Sequence, residues 1–359
     1  MYAIAGSRIK PTRMPPPQRL VSLDVFRGIT IAAMILVNNP GSWDQIYAPL
    51  RHAVWHGWTA ADMVFPFFLW ISGVAMTLSF SRRKREGADK GKLLLHTARR
   101  AAAIFALGLL LNLIPNFDFA QVRIPGVLQR IGICYFFATL IYLYTSRQGQ
   151  LAAVVGLLGG YAAIMIFAPF TGATADRWSM ESNAARFVDG ILLEGHMWRQ
   201  TKVWDPEGAL STLPAIATML CGILATRYLV SGILLTLAGL SLGLIVPINK
   251  SLWTPSFVLL MAGLASLIFG TLHWWIDEKG RRGGWKFFEI YGTNSIVSFV
   301  LSGAIARILA LSGAGKSIYL WLCTYVAPID ASLLYALLNV AVCFIVVYLL
   351  YRKRILVRL

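Results

Sequence analysis

The chain has 359 residues, of which 57% are hydrophobic and 14% are charged. Soluble globular proteins carry about 25% charged residues, so this composition argues against a soluble fold. Lys and Arg total 33 against 16 Asp and Glu, giving a formal net charge of +17. Such an excess of basic residues would indicate nucleic-acid binding in a soluble protein. However, apolar runs of about 18 or more residues recur along this chain, and each is long enough to span a bilayer. The sequence predicts a polytopic membrane protein that binds no nucleic acid.

The apolar runs predict an all-α protein with about ten transmembrane helices. Backbone polar groups in hydrocarbon must be satisfied within the segment, which favours helices for each run. The predicted helices lie at about 20–39, 60–80, 93–113, 126–145, 150–169, 209–227, 229–247, 255–275, 287–311 and 332–352. They form one membrane domain over 20–352, flanked by basic tails at 1–19 and 353–359.

The basic residues are distributed unevenly between the two sides of the predicted bundle. Cytoplasmic loops carry an excess of Lys and Arg, so the side that holds most of them is assigned to the cytoplasm. This places both chain termini in the cytoplasm and the long link 170–208 outside. That link contains Trp178, Trp198 and Trp204 among several acidic residues, a mixture that suits carbohydrate stacking or an interfacial aromatic belt.

Polar residues gather at the external ends of the first two predicted helices. Asn38 ends the first helix, His52 lies in the following loop, and Asp62 lies early in the second helix. Histidine titrates near neutral pH, and one oriented by an amide or a carboxylate can act as a general base; a solvated loop histidine is the alternative. His52 and His56 have a metal-ligand spacing, but no glutamate completes a zincin pattern, and no metal is predicted.

Other ionisable residues in predicted helices have both structural and functional interpretations. Asp24 and Arg27 are three residues apart and share a helix face, which predicts an ion pair. Arg130 begins the fourth helix in an apolar context and needs a partner, for which Asp62 and Asp118 are candidates. Asn294 interrupts the ninth predicted helix among small and polar residues, a composition typical of close helix packing or a pore lining.

Several segments, taken together and in order, resemble one known family. They are SLDVFRGITIAAMILVNN, RHAVWHGWTAADMVFPFFLWISG, RIPGVLQRIGICYF, YGTNSI and the closing YRKRI. They resemble the heparan-α-glucosaminide N-acetyltransferase family, and most of all its short bacterial NagX-type members. The resemblance extends over nearly all of residues 19–358.

The resemblance implies a transmembrane enzyme that takes acetyl from cytosolic acetyl-CoA and delivers it to the amino group of a glucosamine on the far side. The family's active-site histidine falls on His52 and its active-site asparagine on Asn38. Its LQR arginine falls on Arg130 and the aspartate of its AD-x-VFP motif on Asp62. His56 stands where the lysosomal enzyme has asparagine, so it inherits no catalytic role.

The chain also lacks the family's large lumenal N-terminal region and one preceding helix, which favours a bacterial inner membrane over a lysosome. The anionic phosphates of acetyl-CoA would suit cytoplasmic basic residues. The candidates are Arg27, Arg99, Arg100 and Lys286. A positive-inside bias would create the same basic clusters without any ligand.

The expected partners are an amino sugar, acetyl-CoA and the lipid bilayer, with a homo-oligomer as a common state for such proteins. Two other functions fit the same residues. One is an amino-sugar transporter with the polar residues lining a path, and the other is a glycan O-acyltransferase.

Overall fold

The computed structural model describes residues 20–85, 87–114, 117–168 and 176–357. The predicted tail 1–19 lies outside the described residues, as do 170–175 of the long link and 358–359. The α-helices are α1 (Val21–Asn38), α2 (Ala60–Arg85), α3 (Lys90–Leu113), α4 (Val127–Tyr144), α5 (Arg147–Phe167), α6 (Ala184–Leu192), α7 (Thr212–Leu224), α8 (Tyr228–Leu242), α9 (Pro255–Leu272), α10 (Lys286–Thr293), α11 (Ser295–Leu311), α12 (Ala314–Leu322) and α13 (Pro328–Arg352). The all-α prediction is confirmed for the described part of the chain.

Within that part, seven helical segments are long and apolar enough to cross a membrane. They are Val21–Asn38, Ala60–Ser81, Lys90–Leu113, Val127–Tyr144, Arg147–Phe167, Pro255–Glu278 and Pro328–Arg352. The pair α10 and α11 would add an eighth span, but it is bent by 84°. All ten predicted segments are helical, yet α7 has only 13 residues and α8 only 15. At 1.5 Å per residue, these two are shorter than a bilayer core.

Helix α1 lies at the centre of the bundle and contacts α2, α10, α11 and α13. Glycine allows its closest approach, because a Cβ on Gly28 would lie 1.8 Å from the carbonyl oxygen of Phe288 in α10. The reciprocal contact sets Gly292 of α10 against the backbone of Asp24. These paired glycines bring the two helix backbones together, as small residues do in membrane bundles.

Two ends of the bundle can be distinguished from backbone contacts. At one end, where α1 finishes, the Gly41 N–H donates to the Ser332 carbonyl at the start of α13 (3.2 Å). At the opposite end, the Asn294 amide donates to the Ile355 carbonyl, beyond the end of α13 (3.1 Å). Helices α1 and α13 are therefore antiparallel. The end of the bundle at which α1 finishes is called the loop end below, because it carries the loop 39–59. The opposite end of the bundle is called the terminal end.

Candidate active site

The loop 39–59 is folded onto the start of α2 by the carboxylate of Asp62. Its Oδ2 accepts hydrogen bonds from the backbone N–H of Ala53 (3.0 Å) and of Thr59 (3.0 Å). The side chain of Asp62 is 1% exposed. A carboxylate in the first turn of a helix also interacts favourably with the helix dipole. Asp62 thus fixes the segment that carries His52.

His52 lies directly against the other oxygen of this carboxylate. Its Nδ1 is 2.7 Å from Asp62 Oδ1, while its side chain keeps 34% of its surface exposed. A carboxylate accepts hydrogen bonds and does not donate them, so Nδ1 carries the proton in this pair. The second ring nitrogen, Nε2, is then unprotonated in the neutral imidazole and can accept a proton. An imidazole oriented in this way can act as a general base.

Lys250, which was not predicted from the sequence as part of the site, completes the group. Its Nζ lies 3.2 Å from Asp62 Oδ1 and 3.0 Å from His52 Nδ1. The segment before α9 is held in place because the Gly57 N–H donates to the Ile248 carbonyl (2.7 Å). His52, Asp62 and Lys250 are called the histidine cluster below. Lys250 was missed because almost 200 residues separate it from His52 and it resembles an ordinary flanking lysine.

The two asparagines that close α1 have different environments. Asn39 is buried, and its Nδ2 donates to the Ile35 carbonyl (2.7 Å) and to the Ser302 hydroxyl (2.9 Å). Asn38 is exposed, and the described residues provide no hydrogen-bond partner for its side chain. Of the pair, Asn39 ties α1 to α11, whereas the side-chain amide of Asn38 is exposed.

If Asn38 has the role that the sequence resemblance implies, we expect Asn38→Ala to lower kcat for the implied acetyl transfer by about 10²-fold, the effect of losing one donor to a developing oxyanion. Its melting temperature should stay near the wild-type value, because the exposed amide supports no other group. Asn39→Ala is the matched control and should lower the melting temperature through loss of two buried hydrogen bonds. Steady-state kinetics and thermal unfolding of both variants check this, and full activity of Asn38→Ala would contradict a role in the reaction.

Arg130 does not pair with Asp62 or Asp118, so both predicted partners were wrong. Its buried guanidinium donates from Nη2 to the Gly208 carbonyl (3.0 Å) and to the Ser211 hydroxyl. It also lies 5.1 Å from the ring centre of Trp253. The carboxylate of Asp62 is instead occupied by His52 and Lys250. Arg130 therefore fixes the start of α7, and among the described residues it makes no contact with the histidine cluster.

The link before α7 is anchored over the same end of the bundle. Arg123 pairs with Asp205 (2.6 Å) and with Glu207. Burial alone would lower the pKa of Arg123, but the two carboxylates raise it overall. Burial raises the pKa of Asp189 to about 6, although this carboxyl accepts the backbone N–H groups of Asp205 and Ala209. The anchored link therefore contains a carboxyl group that takes up a proton in mildly acidic solution.

The aromatic residues of this link serve partly as packing. Trp204 is 8% exposed, and its ring packs edge-on against Trp55 with ring centres 5.2 Å apart. The indole N–H of Trp55 donates to the Trp178 carbonyl (2.8 Å). Because Trp204 is covered by Trp55, its ring face is not open for the sugar stacking predicted from the sequence.

Residues 19–179 match the family model described as "Heparan-alpha-glucosaminide N-acetyltransferase, catalytic". This range includes His52, Asp62, Asn38 and Arg130. The resemblance to this acetyltransferase family is confirmed. The human heparan-alpha-glucosaminide N-acetyltransferase is 29% identical over 353 residues, which cover 79% of this chain and 52% of the human protein. The mouse heparan-alpha-glucosaminide N-acetyltransferase is 29% identical over 358 residues, which cover 80% of this chain and 54% of the mouse protein. The chain spans about half the length of the curated relatives that it matches.

Three predicted supporting residues lie at the terminal end, away from the histidine cluster. The predicted ion pair between Arg27 and Asp24 is present at 3.2 Å, and Arg27 Nη1 also donates to the Gly292 carbonyl. Asn294 lies at the break between α10 and α11, where its amide accepts the Val357 N–H (2.9 Å). These contacts hold α1, α10 and the end of the chain together, which is the structural alternative considered for each.

The four residues proposed for acetyl-CoA phosphates lie on three helices. Arg27 is on α1, and Lys286, on α10, bonds to Glu289 (3.0 Å). Arg99 and Arg100 are on α3, where Arg100 lies over the ring of Tyr135 at 4.9 Å. Helix α10 packs on α1, whereas α3 packs mainly on α4. Among the four, Arg99 is exposed and has no hydrogen bond or ion pair with the described residues.

No three His, Cys, Asp or Glu side chains converge as a metal site in the described ranges.

Proposed function

We propose that this chain is a transmembrane N-acetyltransferase that moves acetyl from acetyl-CoA to the amino group of glucosamine or of a glucosamine-terminated sugar. The observation that carries the proposal is the 2.7 Å contact between His52 Nδ1 and the buried Asp62 carboxylate. The match of residues 19–179 to the catalytic family model supports the reaction class.

In the proposed reaction, the acceptor enters as the free amine after its ammonium has lost one proton to solvent. The amine nitrogen attacks the thioester carbonyl carbon, and Nε2 of His52 takes the second proton as the C–N bond forms. Asn38 donates to the oxygen on which charge develops. The C–S bond then breaks, and the CoA thiolate receives the proton from His52 and leaves as the thiol. The products are an acetamide and CoA, and His52 returns to its neutral form.

An alternative route transfers acetyl first to His52 and then to the amine, which is chemically reasonable for an imidazole nucleophile. The two routes differ in whether an acetyl-enzyme forms before the acceptor arrives. Incubation with labelled acetyl-CoA in the absence of amino sugar, followed by rapid quenching, distinguishes them. Label retained on the protein supports the two-step route, and its absence in an active preparation supports direct transfer.

We further propose a bacterial inner-membrane location, with both termini cytoplasmic and the loop end facing the periplasm. The seven apolar helical segments support insertion into a membrane, and the excess of basic residues near the terminal end supports the orientation. Acetyl-CoA would then bind from the terminal end, with its acetyl group reaching the loop end between helices.

We expect Arg99→Ala to raise the KM for acetyl-CoA by about tenfold, because one charge-assisted hydrogen bond to a phosphate contributes about 1.5–3 kcal/mol. The KM for the amino sugar and the stability should change little, since Arg99 is exposed. Arg281→Ala is the control, because this arginine stacks on Trp275 at 4.4 Å and is not among the proposed ligands. An unchanged KM in Arg99→Ala would remove this residue from the proposed phosphate site.

The experiment that tests the function is a transfer assay on the purified protein with labelled acetyl-CoA and a panel of amino sugars. The panel contains free glucosamine, a glucosamine-terminated disaccharide and N-acetylglucosamine, which lacks the free amine and is the matched control. Mass spectrometry of the product should show a base-stable amide on the first two sugars. A base-labile ester would indicate an O-acyltransferase instead. Flux of unmodified sugar into proteoliposomes without acetyl-CoA, together with no transfer, would indicate a transporter.

A further inference from the structure

Lys250 lies at the third corner of the histidine cluster on a rigid segment. The preceding residue, Asn249, is fully buried, and its Oδ1 accepts the Leu252 N–H (2.8 Å). The Asn249 N–H donates to the Thr254 hydroxyl (3.0 Å). The lysine side chain itself is 20% exposed. Its ammonium is therefore held beside His52 by a turn that is fixed on both sides.

The contacts of Lys250 place two donors on one carboxylate oxygen. Asp62 Oδ1 is 2.7 Å from His52 Nδ1 and 3.2 Å from Lys250 Nζ. An ammonium donates hydrogen bonds and accepts none. When Nδ1 carries its proton, the ammonium 3.0 Å away therefore acts on the ring as a neighbouring positive charge. A like charge at this distance disfavours a second proton on the imidazole.

The remaining groups that face His52 do not offset the repulsion between the Lys250 ammonium and a second proton on the imidazole. On its own segment, the guanidinium of Arg51 donates to the Ile46 carbonyl (3.2 Å), and the ring of His56 approaches the Asn249 amide (3.4 Å). From α2 the facing charge is Asp62, and from the segment before α9 it is Lys250. Within the described chain, no second carboxylate lies within ion-pair distance of His52. The charges that face His52 within the described chain are therefore the carboxylate of Asp62 and the ammonium of Lys250.

We propose that Lys250 is a positioning residue that opposes the charge of Asp62 and keeps His52 neutral, with Nδ1 protonated and Nε2 free to accept a proton. This inference rests on the proposed role of His52 as the general base. Asp62 alone would orient the ring but would also stabilise the imidazolium, which cannot act as a base. Lys250 offsets this stabilisation of the imidazolium while leaving the hydrogen bond from Nδ1 to the carboxylate in place.

The test compares Lys250→Met with Lys250→Arg over the pH range of activity. In the Met variant, the acid limb of the kcat/KM profile should move upward by about one pH unit, because the imidazolium loses its repulsive neighbour. The rate near neutral pH should fall by up to about tenfold and recover in mildly alkaline solution. The Arg variant retains the charge and should keep the wild-type acid limb. A uniform loss of rate at every pH in the Met variant would show a merely structural role and overturn the proposal.

A second readout needs no catalysis. Diethyl pyrocarbonate reacts with the unprotonated imidazole, and peptide mass spectrometry separates modification of His52 from that of His56. In the wild type, the modification rate of His52 relative to that of His56 should not fall as the pH is lowered from about 8 to about 6, whereas in Lys250→Met it should fall. A ratio that already falls in the wild type would overturn the proposal even where the Met variant does not fold.

Failure of this inference can be distinguished from failure of the proposed function. Full activity of His52→Ala would contradict the role of His52 as the base, and with it the function proposed for Lys250. An inactive His52→Ala together with an unshifted acid limb in Lys250→Met would contradict the role of Lys250 alone.

Discussion

Replacing His52 by alanine is expected to lower kcat for the proposed amino-sugar acetylation by about 10²–10⁴-fold, the range that a positioned general base contributes. The amine would then lose its proton to water, which is a weaker base than imidazole. Because 34% of the His52 side chain is exposed, the alanine variant should fold with a melting temperature close to wild type. Steady-state kinetics on the purified variant, with thermal unfolding measured in parallel, check both parts.

His56→Asn is the matched control for His52→Ala. His56 lies four residues further along the same loop, is exposed, and contacts the Asn249 amide at 3.4 Å with no carboxylate beside it. Its replacement should therefore change kcat by less than about threefold, within the usual context dependence of such effects. Near-normal transfer by His52→Ala, or a large loss in His56→Asn, would show that the base has been assigned to the wrong residue.

The sequence was sufficient to predict that the ten apolar segments are helical and that His52 and Asp62 belong together, whereas the short helices α6 and α12 were not predicted. Apolar runs of bilayer length indicate helices because a helix satisfies its backbone groups in hydrocarbon within the segment itself. Contacts within one loop are also predictable, since His52 and Asp62 are only ten residues apart. The lengths of α7 and α8 were overestimated because apolar composition continues past the residue at which each helix ends. The break at Asn294 was visible only as polar residues within an apolar run.

Long-range pairing was not predictable from local pattern. Arg130 contacts a backbone carbonyl, a serine hydroxyl and the face of Trp253. None of these partners carries a formal charge, whereas a partner for an arginine is predicted from sequence by its negative charge. Lys250 reaches the site only because the segment before α9 docks on Gly57. In both cases the partner depends on how distant segments pack, and a single sequence contains no direct signal of that packing.

Replacing Asp62 by asparagine is expected to have the largest combined effect on rate and stability. The asparagine amide would place an N–H₂ group toward either the N–H donors of Ala53 and Thr59 or the ring of His52. In the second orientation it favours the tautomer in which Nε2 carries the proton, so His52 no longer acts as a base. We expect kcat to fall by about 10³-fold or more, the order seen when the aspartate of a catalytic histidine is made neutral.

The stability of Asp62→Asn should fall by about 2–4 kcal/mol, because a partly buried lysine loses its counter-charge and the loop 39–59 loses a hydrogen-bond acceptor. Thr59→Val is the control. It removes only the hydroxyl that donates to the Arg51 carbonyl (2.7 Å) and lies 3.2 Å from Asp62 Oδ2, while the charge pair stays intact. This variant should lose about 1 kcal/mol of stability and retain most of its kcat.

The double variant His52→Ala with Asp62→Asn distinguishes a catalytic role of Asp62 from a structural one. If Asp62 acts on the reaction through His52, removing both should lower kcat little further than His52→Ala alone, because residues that act as a unit are strongly non-additive. Kinetics are measured on the folded fraction, determined by thermal unfolding of the same preparation. Additive losses would mean that Asp62 affects the rate by a path that does not pass through the imidazole, and the assignment of the pair as one base would be wrong.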